Sequence, residues 1–267
     1  MKRTNVFPKL VFQLCLIIFA VVLSGCASTP KNPEDPWEDW NRGAQKFNDN
    51  VDDYVLKPVA KGYQYVTPEV VDESITNFFS NLKDIGVTVN DLLQLKFKQG
   101  GMDAGRFLVN STIGVAGLID VASMIDLPKH NEDFGQTLGV WGVPSGPYLV
   151  IPFIGPSSPR GAAGLVGDAA LHPLTYTILI GGSLSTAAEV AATGARSVEA
   201  VDTRADFLKV EKVASEAAID RYAYFREAYK QRRKYLIYDG NVPEGKEYNF
   251  DVDIDIDDEL DELEQSE

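Results

Sequence analysis

The chain has 267 residues, 45% of them hydrophobic and 24% charged, with 25 Lys and Arg against 39 Asp and Glu and a net charge of −14. That is globular composition, which excludes a wholly disordered chain and a multi-span membrane protein; the acidic balance argues against nucleic acid as a partner. The charge is uneven: residues 1–25 carry +3, residues 239–267 carry −12, and the body between them is close to balanced.

Met1–Lys9 is basic and Leu10–Leu23 is apolar except for Gln13. The run is too short for a span of about 20 residues but has the length of a secretory h-region. It ends in Leu23-Ser24-Gly25-Cys26, the pattern of a bacterial lipobox, in which small residues suit the peptidase and the Cys26 thiol accepts diacylglycerol. An ordinary signal peptide cut near Cys26 and an N-terminal membrane anchor are the alternatives. Each buried CH₂ of an acyl chain contributes about 0.8 kcal/mol, so a fully acylated Cys26 would stay attached. Ala27 stands where an aspartate would favour retention at the inner membrane, which points to the outer one. With Cys15 in the leader and Cys26 modified, no thiol remains for a disulfide, a metal or a nucleophile. His130 and His172 are distant in sequence and have no metal-ligand spacing; both read as loop or surface residues. No metal and no cofactor is expected.

Residues 26–36 form a Pro-rich tether. Pro36 suits a first helical turn, with Asp35 as its N-cap. Trp37, Trp40, Ala44, Phe47, Val51 and Tyr54 then recur at helical spacing. Seven charges among them forbid a span. The stripe either faces a core or lies in a membrane interface, and Trp37, Trp40 and Phe47 are the interface candidates. Pro58 and Pro68 punctuate the chain. Helices are predicted over 68–82 and 85–95, bent or separated at Gly86, then a turn at Phe97–Gly101 and a helix at Asp103–Val109. Thr112–Ile125 is apolar and rich in small residues. No series of alternating strands precedes residue 130.

Gly135–Gly164 contains seven glycines and five prolines, too many breakers for regular helix. Trp141, Tyr148, Val150 and Phe153 lie among them, so the segment is either buried against helices or faces lipid, where irregular backbone needs protein or water for its polar groups. Leu174–Leu184 is apolar but short. Thr203–Lys234 reads as one long helix ending in cations, which suit its dipole. Residues 241–267 form an acidic tail predicted to be disordered. No nucleophile elbow or phosphate loop occurs. The spacing Asp251-x-Asp253-x-Asp255 with Glu262 imitates a calcium loop, but Ile256 occupies the position that needs glycine. Nothing assembles an active site, and the chain is read as a non-enzyme.

The stretch Asp35-Pro36-Trp37-Glu38, Asn41-Arg42, Phe47-Asn48 and Leu56-Lys57-Pro58-Val59-Ala60 resembles the MlaA (VacJ) family of lipoproteins. The likeness continues through Asn77-Phe78-Phe79, Asn81-Leu82, Arg106-Phe107 and Asn110-Ser111-Thr112-Ile113-Gly114. It is most specific at Glu132-Asp133-Phe134-Gly135-Gln136-Thr137-Leu138-Gly139, and Gly146-Pro147-Tyr148, Arg160, Asp202-x-Arg204 and Arg226-Glu227-Ala228-Tyr229 follow in order. The resemblance covers the mature chain to about Gly240, with 37–240 as the helical domain; the tail lies outside it. It implies an all-α, ring-like bundle of amphipathic helices in the inner leaflet of the outer membrane, lipid-anchored on the periplasmic side of a Gram-negative bacterium. It implies removal of mislocalised phospholipid from the outer leaflet, handed to a periplasmic phospholipid-carrier protein, with a trimeric porin as partner and no enzymatic step. The alternative is a structural or assembly lipoprotein without lipid transport. Gly161 departs from the family pattern, where an acid is expected after the arginine.

Within that picture Gly135–Pro159 is expected to be a movable wall beside the lipid passage. Gly142 and Gly146 are its hinge candidates. Trp141, Tyr148, Val150 and Phe153 supply apolar surface, and Asp133, Gln136 and Arg160 a polar side. The alternative is that the glycines only permit close packing and the polar residues cap helices.

Overall fold

A computed structural model describes residues 32, 33, 35–175, 186–216 and 220–243. The leader, Cys26, most of the tether, much of Leu174–Leu184 and nearly all of the tail lie outside the described residues. Two compact units divide at Glu38. In the first, the Asp35 amide donates to the Asn32 carbonyl and the Glu38 amide to the Asp35 carbonyl, each at 3.2 Å, so Pro36 and Trp37 form a turn and regular helix starts only at Glu38.

Helix α1 (Glu38–Val51) runs through a π-helical turn (Asp52–Leu56) into α2 (Lys57–Val66). Pro58 therefore does not interrupt the chain as predicted. It sits at the start of α2, and the wider turn before it, closed by the Lys57 amide on the Asp52 carbonyl, accommodates the ring and the missing donor. Thr67 is extended, as a residue before proline must be, and α3 (Glu69–Leu93) follows. It is one helix of 25 residues, not two. An interior glycine costs only about 1 kcal/mol, and long contacts along α3 outweigh Gly86. The predicted turn at Phe97–Gly101 is instead the first part of α4 (Phe97–Thr112). Gly100 explains this: a Cβ there would come within 3.1 Å of the Asp91 Cβ, so its absence lets α4 lie closely on α3.

Short α5 (Val121–Met124) is capped by Asp120, and α6 (Phe134–Val140) by Asp133, each carboxylate accepting a backbone amide three residues on. Strands β1 (Leu149–Ile151) and β2 (Gly155–Ser157) pair antiparallel with Val150 opposite Pro156, so the segment read as irregular holds a small hairpin. Ser158 caps α7 (Pro159–Leu171). Helix α8 is Thr186–Glu216 and α9 is Arg221–Ile237. The predicted single helix over Thr203–Lys234 is thus two, because Asp220 accepts from the Tyr222 and Ala223 amides and starts a new one. Helix α3 is the central piece, packing on α4, α6, α7 and α8; α2 packs on α8, and α6 on α7 and α9.

Polarity in the second unit is inverted. Among its largest fully buried side chains are Arg106, Gln136, Asn41, Asn90, Thr137, Asp84, Asp91 and Asp103. The exposed set includes Tyr65 (91%), Tyr54 (81%), Val70, Leu95, Phe97, Ile113, Met124 and Phe153. A protein surrounded by water has the opposite preference. No helix among the described residues is long and apolar enough to cross a membrane.

Candidate functional site

The polar interior is built from stripes at helical spacing. Asn77, Asn81, Asp84, Thr88 and Asp91 recur along α3, and Asp103, Arg106 and Asn110 along α4. Arg106 is 1% exposed and donates both Nη2 hydrogens to Asp120 at 2.8 and 2.9 Å and Nη1 to the Leu127 carbonyl at 2.5 Å. Asn110 adds a bond to Asp120 at 2.9 Å and accepts the Ala122 amide at 2.8 Å. Burial raises the Asp120 pKa, but the Ser123, Asn110 and Arg106 donors outweigh it and bring it down to about 2. Lys129 is held by Asp84 and the Ser80 carbonyl. Beside them Asp91 and Asp103 are both fully buried. His130 lies in irregular backbone, as expected, and its Nδ1 is 2.8 Å from the buried Asp103 Oδ2. Burial, then the Asp103 carboxylate, pushes Asp91 up to about 8.

Two cavities open on this interior. The first, about 490 Å³, lies among α3, α6, α7 and α9, between apolar Leu82, Val87 and Leu236 and polar Gln136, Asp168 and Arg232. The second, about 410 Å³, lies between α3 and α8, with Phe79 and Phe207 opposite Asp202 and Lys129. Lys83, Val87 and Asn131 line both. In the first, Asp133 is half-buried and faces Arg233; burial raises its pKa, but the bidentate guanidinium and the Gln136 donors more than offset this and hold it below the usual range. Burial lifts Asp168 to about 6 and lowers the pKa of His172.

Helix α1 holds the hairpin. Asn41 donates to the Tyr148 carbonyl at 2.9 Å and accepts the Val150 amide at 2.8 Å. One heptad on, Asn48 donates to the Ile151 carbonyl at 3.0 Å and accepts the Phe153 amide at 2.7 Å. Trp40 Nε1 adds a bond to the Val150 carbonyl at 3.2 Å. Two asparagines therefore do for β1 what a neighbouring strand would.

The predicted residues divide. Asp133 and Gln136 line the first cavity and also form the cap of α6. Arg160 donates to the Val143 carbonyl at 2.8 Å, bracing the loop before the hairpin. Trp141 is exposed and donates to the Leu93 carbonyl at 3.0 Å. Gly142 and Gly146 have φ of +87° and +73°, a region that favours glycine, and Gly146 faces Pro159 closely. Tyr148 and Val150 are buried, Tyr148 between Tyr222 and Tyr229, whereas Phe153 is exposed and meets Phe47 edge-on at 5.0 Å. The stripe on α1 is divided: Trp40 and Phe47 are exposed, whereas Ala44, with Asn41 beside it, is buried. Trp37 sits in the turn before α1. At Gly161 a Cβ would lie 2.8 Å from Ser157 Oγ and 3.0 Å from Tyr229 Oη, which leaves no room for an acid. Lys83 and the Asp91–Asp103 pair escaped the sequence reading, and Asn41, Asn48 and Arg106 entered it only as residues of the family motif, with no role given. Their signal was present as polar residues repeating every three or four positions.

Fold and site together define an all-α protein with a polar, cavity-bearing interior, many exposed apolar side chains and no spanning helix among its described residues. The chain belongs to the MlaA lipoprotein family, whose model matches residues 33–236. The intermembrane phospholipid transport system lipoprotein MlaA of Haemophilus influenzae is 34% identical over 243 residues, 88% of this chain and 93% of that protein. Its counterpart of the same name in Escherichia coli is 32% identical over 237 residues, 85% and 89% of the two chains. A solved structure presented as "Structural basis for maintenance of bacterial outer membrane lipid asymmetry" is 34% identical, with a TM-score of 0.64 over 76% of this chain and 98% of its own.

Proposed function

We propose that this chain is the outer-membrane lipoprotein of a phospholipid transport system, taking mislocalised phospholipid from the outer leaflet and passing it to a periplasmic carrier. The observation that carries this reading is the inverted polarity. Exposed aromatic and branched residues suit acyl chains outside, while an interior of carboxylates, amides and guanidinium groups offers a headgroup a polar route. The body would lie in the inner leaflet, held by three acyl chains on Cys26 after removal of residues 1–25, with a trimeric porin beside it. The Gly135–Pro159 segment would be the movable wall, with the hairpin as its moving part. No bond of the lipid is made or broken in this reading. Deletion of the gene in its Gram-negative host tests it. Surface phosphatidylethanolamine, read with a membrane-impermeant amine reagent, rises in the deletion and returns to the parental level on complementation. Unchanged labelling overturns lipid transport and restores the structural reading.

A further inference from the structure

One charged side chain, Lys83 on α3, lines both cavities, and its ammonium lies 3.0 Å from Glu199 Oε1 on α8. The lysine side chain is half exposed, whereas the glutamate is largely covered. The other cations of the two cavities are differently placed. Lys129 is fixed on Asp84 and the Ser80 carbonyl. Arg233 lies bidentate on Asp133. Arg232 is exposed and lines only the first cavity of the pair.

A pair whose lysine is half exposed is held weakly, because water competes for the ammonium. A lysine ammonium has three donors on a flexible four-carbon stem and can follow an anion without losing its anchor. A phosphodiester presents more acceptor oxygen than one carboxylate oxygen does, and so competes for the lysine. Releasing Lys83 leaves the Glu199 carboxylate half of an ion pair in a covered position. A second anion there would be repelled, and a cation would be drawn in.

We propose that Lys83 and Glu199 together form a headgroup site for a zwitterionic phospholipid, the phosphate on Lys83 and the ammonium of a phosphoethanolamine on Glu199. The ion pair opens to admit the headgroup and closes behind it, so both charges stay paired whether the site is full or empty. The site deepens the phospholipid-transport reading and rests on it. Phosphoglycerol carries the phosphate but no cation, so it satisfies Lys83 and leaves Glu199 unpaired.

The test uses the full lipidated chain, purified in detergent, with bound phospholipid measured by phosphorus assay and its headgroups by mass spectrometry. The wild type is enriched in phosphatidylethanolamine over phosphatidylglycerol relative to the membrane of origin. Lys83→Gln lowers total phospholipid about threefold to tenfold, the scale of one charge-assisted hydrogen bond partly screened by water. Glu199→Gln keeps the total but loses the enrichment, and Lys83→Arg restores both. Melting temperatures of all four proteins agree within a few degrees. Equal losses in Lys83→Gln and Glu199→Gln that track a fall in melting temperature make the pair a structural bridge and overturn the site. Unchanged amount and ratio in both variants overturn the site and leave phospholipid transport standing. A wild type that retains no phospholipid overturns the site and the transport reading together.

Discussion

Asp91 sits in the interior with both carboxyl oxygens lacking any donor apart from the neighbouring Asp103 carboxyl, and with Gly100 of α4 pressed against it. Burial, then hydrogen bonding and repulsion from Asp103, then the Glu132 charge, raise its pKa to about 8, against the weaker pull of Lys96. The unfolded chain releases this proton near pH 4, so between about pH 4 and about pH 8 the folded state holds a proton that the unfolded state does not. Stability therefore falls as pH rises through that window. At 1.36 kcal/mol per pKa unit the loss reaches on the order of 4 kcal/mol at pH 7. Asp91→Asn keeps the shape and the ability to donate to Asp103 but cannot ionise. The variant is expected to melt within a few degrees of wild type at pH 4 and about 10 °C above it at pH 7.5, since about 1 kcal/mol corresponds to 2–4 °C in a chain of this size. Circular dichroism melts of both proteins from pH 4 to pH 8.5 at fixed ionic strength measure it. A wild type whose melting temperature is flat across that range refutes the reasoning. So does an Asp91→Asn penalty that is the same at every pH.

Arg106→Ala removes a fully buried guanidinium, leaving the half-buried Asp120 without its cation and the Leu127 carbonyl without its donor, and is expected to cost about 3–5 kcal/mol; chemical denaturation reads this as a lower midpoint. Gly161→Asp, which restores the acid expected from the family pattern, meets Ser157 and Tyr229 and is expected to destabilise by about 1–3 kcal/mol, and a thermal melt tests it. Asn48→Ala removes two bonds to the hairpin; faster hydrogen exchange at Ile151–Gly155, with α3 and α4 unaffected, is the expected result. Cys26→Ser is expected to leave uncleaved precursor and to abolish diacylglycerol labelling, read by gel mobility and radiolabelled lipid.

The fold class was legible because helical periodicity survives inversion. Trp40, Phe47 and Tyr54 mark a helix whether the stripe they form faces a core or lipid. What the stripe faces was not legible, because hydrophobicity alone does not say what surrounds it. In the structure the stripe divides: Ala44, with Asn41, lies on the buried side of α1, while Trp40 and Phe47 stay outside. Breaks were judged from glycine and proline alone, and this failed where contacts decided. Gly86 and Pro58 are carried through by long helices, and Gly100 helps form the α3–α4 contact that the sequence reading took for a turn. The break at Asp220 was missed for the complementary reason: an N-cap looks like any surface aspartate until its amide partners are seen. Asp133 and Gln136 were found because they stand in a conspicuous motif, whereas Lys83 and Glu199 are distant in sequence and only the packing of α3 on α8 brings them together.

Inversion also limits what can move. Apolar packing has little directional preference, but the hairpin is held to α1 by directional bonds from two asparagines, and its two ends differ. Near Tyr148 and Val150 the backbone bonds belong to Asn41 and the side chains are buried among Tyr222 and Tyr229. Beyond Ile151 the bonds belong to Asn48 alone, and Phe153 and Ile154 are exposed. A wall that opens would pivot on the Asn41 end and release at Asn48. Gly142 and Gly146 are poor places to test this by substitution, since proline fixes φ near −65° and both positions require positive φ. A Gly→Pro change there would damage the loop whether or not it hinges. Asn48 can be altered without imposing a backbone conformation, so lipid removal measured in Asn48→Ala separates a moving hairpin from a merely well-packed one.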